Sequence, residues 1–374
     1  GLCKPSMDHC PLGQIPIFSE GCQPVGIPDC VDLFIDPETG LCDPKPEHCP
    51  AGQIPIFSEG CQPVGVLDCH PDFIDPESGL CLPDPDGCPA HHIAVPTQGC
   101  VSLDPLDGCG AGTWGNVVEQ AGDVHVDVDA PGGGDGTRAL PVATLSEAYD
   151  LVAGGGRIVA GAGDYPEGLV ITKSVGLVGR CSSMVTISGV EPTPYGFDAV
   201  LQFREGAQVT LEDVTIWGPG VGVNVTTQAR LTASRIAIKG AHGVGLQAAH
   251  AGTSIAASTV RITDTVPKGT GSVGLAVKAE GGGTLGLETA ALIDNLGYGL
   301  YATGEESTIT AADILITRTL PKVNGQAGIA VHARNSGGLD VSRAVVSATE
   351  GSPVAVYHPG TQVVVTESVL AGSE

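Results

Sequence analysis

Between residues 170 and 370 one eight-residue pattern returns eight times, and this recurrence constrains the fold more than any other feature of the chain. The copies are VITKSVGL (170–177), VTLEDVTI (209–216), LTASRIAI (231–238), IAASTVRI (255–262), LGLETAAL (285–292), ITAADILI (309–316), LDVSRAVV (339–346) and VVVTESVL (363–370). Each is apolar at its first and eighth positions, and all but the last, which has Ser368, are apolar at the sixth. From Ile216 the ends of successive copies lie 22, 24, 30, 24, 30 and 24 residues apart. One copy cannot bury its apolar side alone, whereas stacked copies bury a continuous core. A period of about 22–24 residues suits a coil in which each turn lays its strand beside the strand of the turn before.

A second, shorter strand precedes the later copies: GVNV, GLQA, GLAV, GLYA, GIAV and PVAV. Small residues at the corners let the chain turn, which accounts for many of the 55 glycines. The expectation is an all-β fold, a right-handed parallel β-helix over residues 111–374, with an N-terminal cap at about 123–165. The two longest turns are alike. ITDTVPKGTGSVGLAV (262–277) and ITRTLPKVNGQAGIAV (316–331) are 54 residues apart and place Lys268 and Lys322 on matching loops, two rungs from each other. These lysines are candidate binding residues on a ledge beside the coil.

The N-terminal part repeats differently. Twelve of the 13 cysteines fall within residues 1–109. Cys3, Cys42 and Cys81 are 39 residues apart in turn, as are Cys10, Cys49 and Cys88, and Cys22, Cys61 and Cys100. Cys30 and Cys69 keep that register, and Cys109 follows one residue late. The units read C-x6-C-x11-C-x7-C and divide the region into repeats at 1–41, 42–80 and 81–110. PLGQIPIFSEGCQPVG returns almost unchanged as PAGQIPIFSEGCQPVG, while the third copy, CPAHHIAVPTQGC, has diverged and is read as an interface or capping unit. Units this small and this poor in apolar residues need cross-links. Four cysteines per unit imply two bridges each, in a pairing the sequence leaves open. The spacing lacks the short knuckles of structural zinc sites. His91 and His92 are read as loop histidines. Cys181, the odd cysteine, is read as a buried free thiol, with pairing to Cys109 as the alternative.

Dense cysteines indicate an oxidising environment, so the chain is expected outside the cytoplasm, extracellular or on the surface of a bacterium. The net charge of −25, with only 17 Lys and Arg, excludes a nucleic-acid partner. No apolar run approaches the ~20 residues of a membrane span.

The stretch from Val126 to Ile171, VDVDAPGGGDGTRALPVATLSEAYDLVAGGGRIVAGAGDYPEGLVI, runs through a strand, a Gly-rich loop, a short capped helix and a return to strand. Thr144 and Glu147 have capping-box spacing, and Gly163, Tyr165 and Glu167 form a G-x-Y-x-E sequence. This order resembles the opening of secreted β-helix proteins of the pectin-lyase-like class, over roughly residues 115–374. The resemblance implies the same fold and, by analogy of fold alone, action on acidic polysaccharides.

The residues such chemistry needs are not found in the expected patterns. Tyr195-Gly196-Phe197-Asp198 is similar to the start of the YGFDPH motif of mannuronan C5-epimerases, but Ala199 and Val200 stand in place of the Pro and the catalytic His. His242-Gly243 resembles the His-Gly of polygalacturonases without their carboxylates. Arg235, Lys239, His242 and Lys268 fall on adjacent rungs, where a cluster is conceivable. Asp127 and Asp129 alternate along the VHVDVD stretch, and Asp135 follows in the loop, which makes these three a candidate calcium set. Of the 2 tryptophans, Trp217 sits at a rung corner, and Tyr298, Tyr301 and Tyr357 are read as stacked corner residues on neighbouring rungs.

The reading this supports is an extracellular structural or adhesive protein without catalysis, whose repeated modules give repeated surfaces and whose partner is a second copy, head to tail in a homo-oligomer or filament. The alternative is a lyase or epimerase of acidic glycans, or a non-catalytic module that binds a surface glycan.

Overall fold

In the computed structural model the described residues are 10, 14–17, 21–24, 30–39, 41–56, 58–189, 199–269, 273–321 and 328–372. Cys3, Lys322 and the Tyr195–Asp198 motif lie outside them. The repeated segments form long parallel strands: Gln208–Trp217, Arg230–Lys239, Ser254–Thr263, Thr284–Ile293, Thr308–Thr317 and Gly338–Thr349. They pair in order within one 13-stranded sheet. The shorter strands, from Leu169–Ile171 to Val354–Tyr357, pair in order within an eight-stranded sheet. The chain alternates between the two sheets and so winds a right-handed parallel β-helix.

A flat strand would turn every second residue inward. The pattern of first, sixth and eighth positions breaks that alternation, and the backbone shows why. The fifth residue of the seven copies from VTLEDVTI onward is left-handed: Asp213, Arg235, Thr259, Thr289, Asp313, Arg343 and Glu367 have φ between 47° and 59°. The first copy, VITKSVGL, is instead divided between the two sheets, at Leu169–Ile171 and Val175–Gly179. Each long strand is therefore bent once. Val209, Leu211, Val214 and Ile216 all point inward around the bend and are buried. The left-handed conformation costs roughly 1–2 kcal/mol for a residue with a Cβ. Ion pairs between stacked bends offset part of it. Arg235 donates from Nε and Nη2 to Asp213, and Arg343 donates to both carboxylate oxygens of Asp313 at 2.9 and 2.7 Å. The long strands thus present two outer faces, one on each side of this ridge. The eight-stranded sheet presents the third.

The cap forms as its sequence indicates. Thr144 caps the helix Leu145–Leu151 in a complete capping box. Glu167 accepts from the backbone N–H of Leu145 at 2.6 Å and of Ser146 at 3.0 Å, so its carboxylate satisfies two more donors at the helix start. Tyr165 is buried and donates to the carbonyl of Gly161 at 2.9 Å.

The bridges correct the sequence reading. Cys10–Cys22, Cys49–Cys61 and Cys88–Cys100 each close one antiparallel hairpin, and Cys30–Cys42 and Cys69–Cys81 each close a turn. The last two cross the boundaries of the C-x6-C-x11-C-x7-C units, so the expectation of two bridges inside each unit is overturned. The physical reason is proximity. Ile35 pairs with Cys42 and Ile74 with Cys81, which brings each cysteine back to the one 12 residues before it. Cys181 is not a free thiol either: it is bonded to Cys109, across a separation of 72 residues.

The third module lies lengthwise on the β-helix. Ile93, Ala94, Val95 and Leu103 are buried with Ala291, Ile293, Leu315 and Val345 of the long strands. Thr97 donates to Asp313 at 2.7 Å, Gln98 to Thr289 at 3.0 Å, and Arg318 pairs with Asp86 at 2.9 Å. At the other end Asp104 accepts from Ser182 and the N–H of Ser183. The divergence of this copy is therefore the signature of an interface. Its Ile93 is buried at 1% exposure, while Ile54, the same position in the second module, is 45% exposed.

Candidate functional site

The outer face of the eight-stranded sheet concentrates polar and aromatic side chains. Register stacks Gln202, Asn224, Gln247, Lys278, Tyr301 and His332 in one row, each beside the next. At about 4.8 Å per rung the row is roughly 25 Å long. A flanking row holds Glu280, Thr303, Arg334 and Tyr357. On the opposite flank Val244, Leu275, Tyr298 and Ile329 stack.

At one end the aromatic residues converge. Tyr298 and Tyr301 stack with ring centroids 5.4 Å apart. His332 meets the edges of Tyr298, Tyr301 and Tyr357 at 4.6, 5.1 and 5.3 Å. The Arg334 guanidinium lies 5.4 Å from the centre of the Tyr301 ring, a cation–π contact. Tyr357 is 53% exposed and forms the open edge. In the middle Glu280 accepts from Gln247 and pairs with Lys278 at 2.6 Å, which commits both its oxygens. Two side chains carry polar atoms with no protein partner. Both ring nitrogens of His332 and Oδ1 of Asn224 are buried and make no hydrogen bond. Buried polar groups are normally paired, so these atoms are exceptions on this face.

Burial, and then the nearby Arg334 charge, push His332 down to about 4. The folded protein thus holds this ring neutral where an unfolded chain would protonate it. Its contribution to stability is complete above the ordinary histidine value of about 6.5 and is lost as pH falls from there through about 4, a total of about 3 kcal/mol. Urea unfolding between pH 7 and pH 4 is expected to show this slope, and His332→Gln to remove it. An unchanged slope in the variant would contradict the assignment.

The candidates read from the sequence fare unevenly. Lys268 stands beside Gly243, on the loop that leads into the strand Gly274–Glu280. Val273, next to that strand, packs against the cluster of Val244, Leu275 and Tyr301, and so borders the aromatic face. The cluster of Arg235, Lys239, His242 and Lys268 does not form. Arg235 is held by Asp213 at the bend, and Lys239 projects from a different face. The three tyrosines are not corner residues: they sit on strands, Gly297–Thr303 and Val354–Tyr357.

Asp127, Asp129 and Asp135 are not brought together either. The first strand ends at Val126, and Asp127 turns to accept from the N–H of Asp129, while Asp135 accepts from Thr137. Among the described residues the one grouping of three ligand atoms within 4.8 Å is Asp104, Cys109 and Cys181, whose sulfurs are bonded to each other. What sequence reasoning missed was His332, which no motif marks and which only strand register places among the tyrosines.

No family model matches the chain, and no curated protein matches its sequence. Among solved structures it is similar to the pectate lyase Pel9A, with TM-score 0.47 and 12% identity over 69% of this chain and 80% of that one. A pectin methylesterase from Aspergillus niger gives TM-score 0.42 and 13% identity, over 67% of this chain and 87% of that one. The alginate lyase AlyGC of family PL6 gives TM-score 0.41 and 13% identity, over 79% and 48%. The fold is a parallel β-helix with a disulfide-linked N-terminal region, as its own strand registers define it. Six bridges among the described residues are those of a protein that matures in an oxidising, extracytoplasmic compartment.

Proposed function

We propose that this protein binds an extracellular polysaccharide along the outer face of its eight-stranded sheet, without cleaving it. The carrying observation is the row from Gln202 to His332, which ends in the Tyr298–Tyr301–His332–Tyr357 cluster with Arg334 at its edge. Amide side chains match sugar hydroxyls, aromatic rings match the apolar faces of sugars, and a row of about 25 Å matches several sugar units. Binding is favoured over cleavage because Glu280, the carboxylate of this face, is neutralised by Lys278 and held by Gln247. Glycoside hydrolysis requires a pair of carboxyl groups aimed at the substrate, and elimination requires a base that reaches it, whereas both ring nitrogens of His332 are buried.

The test is affinity electrophoresis against neutral and acidic polysaccharides, with reducing ends and unsaturated products assayed in parallel. Retardation without product supports the reading, and steady product release would replace it with an enzyme. Tyr357→Ala and Arg334→Ala are each expected to weaken binding about tenfold, the worth of one aromatic or cation contact of roughly 1.4 kcal/mol. Equal affinity in both variants would move the site elsewhere.

A second reading, adhesion or head-to-tail assembly through the modules, is favoured by one observation. Leu33, Ile35, Ile54, Leu67 and Ile74 of the first two modules are 58%, 40%, 45%, 57% and 47% exposed, and Ile35 and Ile74 are the same position in successive copies. Repeated apolar side chains suit a multivalent partner, including a second copy. Sedimentation velocity over a hundredfold concentration range tests it: a monomer throughout removes self-assembly.

A further inference from the structure

The face that carries the third module changes character along its length. Its two outer rows are Thr215, Ala237, Arg261, Ala291, Leu315 and Val345, and Trp217, Lys239, Thr263, Ile293, Thr317 and Ser347. Ala291, Ile293, Leu315 and Val345 are covered by the module. The rungs before them hold an indole and two cations at the same register positions. Between these rungs and the module lies a cavity of about 220 Å³, floored by Thr215, Lys239, Arg261 and Thr263 and walled by His91 and Leu103.

Three features in and beside this cleft point to a ligand. Next to the cavity, outside its lining, Trp217 sits directly beside Lys239 in register and is 49% exposed, with its Nε1 edge over Gly240. The other tryptophan, Trp114, is packed edge-on against His125. Lys239 and Arg261 make no ion pair among the described residues, although most arginines of this acidic chain are matched to carboxylates. Asp264 and Asp294 complete the rim, and Asp294 is already held by Arg318. An open indole takes the apolar face of a sugar ring, threonine and aspartate oxygens accept from hydroxyls, and adjacent lysine and arginine take an anionic substituent.

We propose that this cleft, assembled only when the third module docks on the β-helix, is a second binding site, for a saccharide unit that carries a carboxylate or sulfate. It is separate from the eight-stranded sheet and stands whether or not that sheet binds glycan. Its position at the seam means that the ligand touches both parts and ties occupancy to docking.

The chain offers its own probe. In the full-length Trp114→Phe protein the remaining tryptophan fluorescence comes from Trp217. Tetragalacturonate and a sulfated carrageenan tetrasaccharide supply the two anionic arms, and maltotetraose supplies the neutral one. The expected result is a blue shift and reduced acrylamide quenching with at least one anionic oligosaccharide, and at least tenfold weaker binding of maltotetraose. Lys239→Ala combined with Arg261→Ala is expected to weaken the anionic response at least tenfold, with an unchanged thermal midpoint showing that the fold is kept. Tyr357→Ala is expected to leave the response intact, which separates this site from the other face. No response to either anionic oligosaccharide at millimolar concentration, or an equal response in the double variant, would overturn the proposal.

Discussion

Replacing both Cys109 and Cys181 by alanine is expected to lower the unfolding free energy by about 4 kcal/mol. The bridge closes a loop with a sequence separation of 72. A loop of that length removes roughly this much conformational free energy from the unfolded chain. Among the described residues the bridge is also the one covalent link between the modules and the coil beyond the backbone itself. It holds a segment that Arg180 grips as well, donating to the carbonyls of Cys109 and Gly110 at 2.9 and 2.6 Å. Urea denaturation of the double variant and the parent under non-reducing conditions measures the effect. A loss below about 1 kcal/mol would mean that the unfolded chain is little constrained by this link.

Ile93→Ala is expected to weaken docking of the third module by about 3–4 kcal/mol, the usual cost of truncating a fully buried isoleucine where the site cannot collapse. The surrounding groups are fixed. Ile93 packs among Val95, Leu103, Ala291 and Leu315, and those on the β-helix are set by strand register and cannot move inward. The same change at Ile54 is expected to cost well under 1 kcal/mol, because that side chain is 45% exposed. Limited proteolysis distinguishes the two. Cleavage between the second and third modules is expected to accelerate in the Ile93 variant alone. Equal behaviour of both variants would show that the module is not held through this residue.

The architecture was largely legible in the sequence, because a solenoid writes its structure as a period. The segments from VTLEDVTI to LDVSRAVV are the long strands, and even the bend was present in them. Apolar side chains at the first, sixth and eighth positions cannot all face one side of a flat strand, and the left-handed fifth residue resolves the conflict. The capping box at Thr144 was equally plain, since its three-residue spacing is local. What depended on spatial return was not legible. Four cysteines in a row carry no mark of which one the chain brings back, so the bridges across unit boundaries were missed, and the pairing of Cys181 with Cys109 stood only as the alternative to a free thiol. Asp127 and Asp129 looked like one face of a strand, but the strand stops at Val126.

The candidate site was the least visible part. Tyr298, Tyr301 and Tyr357 could be placed on neighbouring rungs, yet His332 at their centre belongs to no motif. The row from Gln202 to His332 is hidden by turns of unequal length, which shift each strand relative to the repeat. Gln247 pairs with Lys278, 31 residues on, and Lys278 with Tyr301, 23 residues on, a register that no fixed period yields. A face built by stacking is read only once the stacking is known.

The most direct test of polysaccharide binding by the eight-stranded sheet is a crystal structure of the protein with an oligosaccharide prepared from the polymer it binds best. Sugar rings are expected along the row from Gln202 to His332, with one ring against Tyr357 and a hydroxyl or carboxylate at Arg334. Sugar bound only at the seam beside Trp217, or on neither face, would contradict the assignment of the eight-stranded sheet as the polysaccharide site.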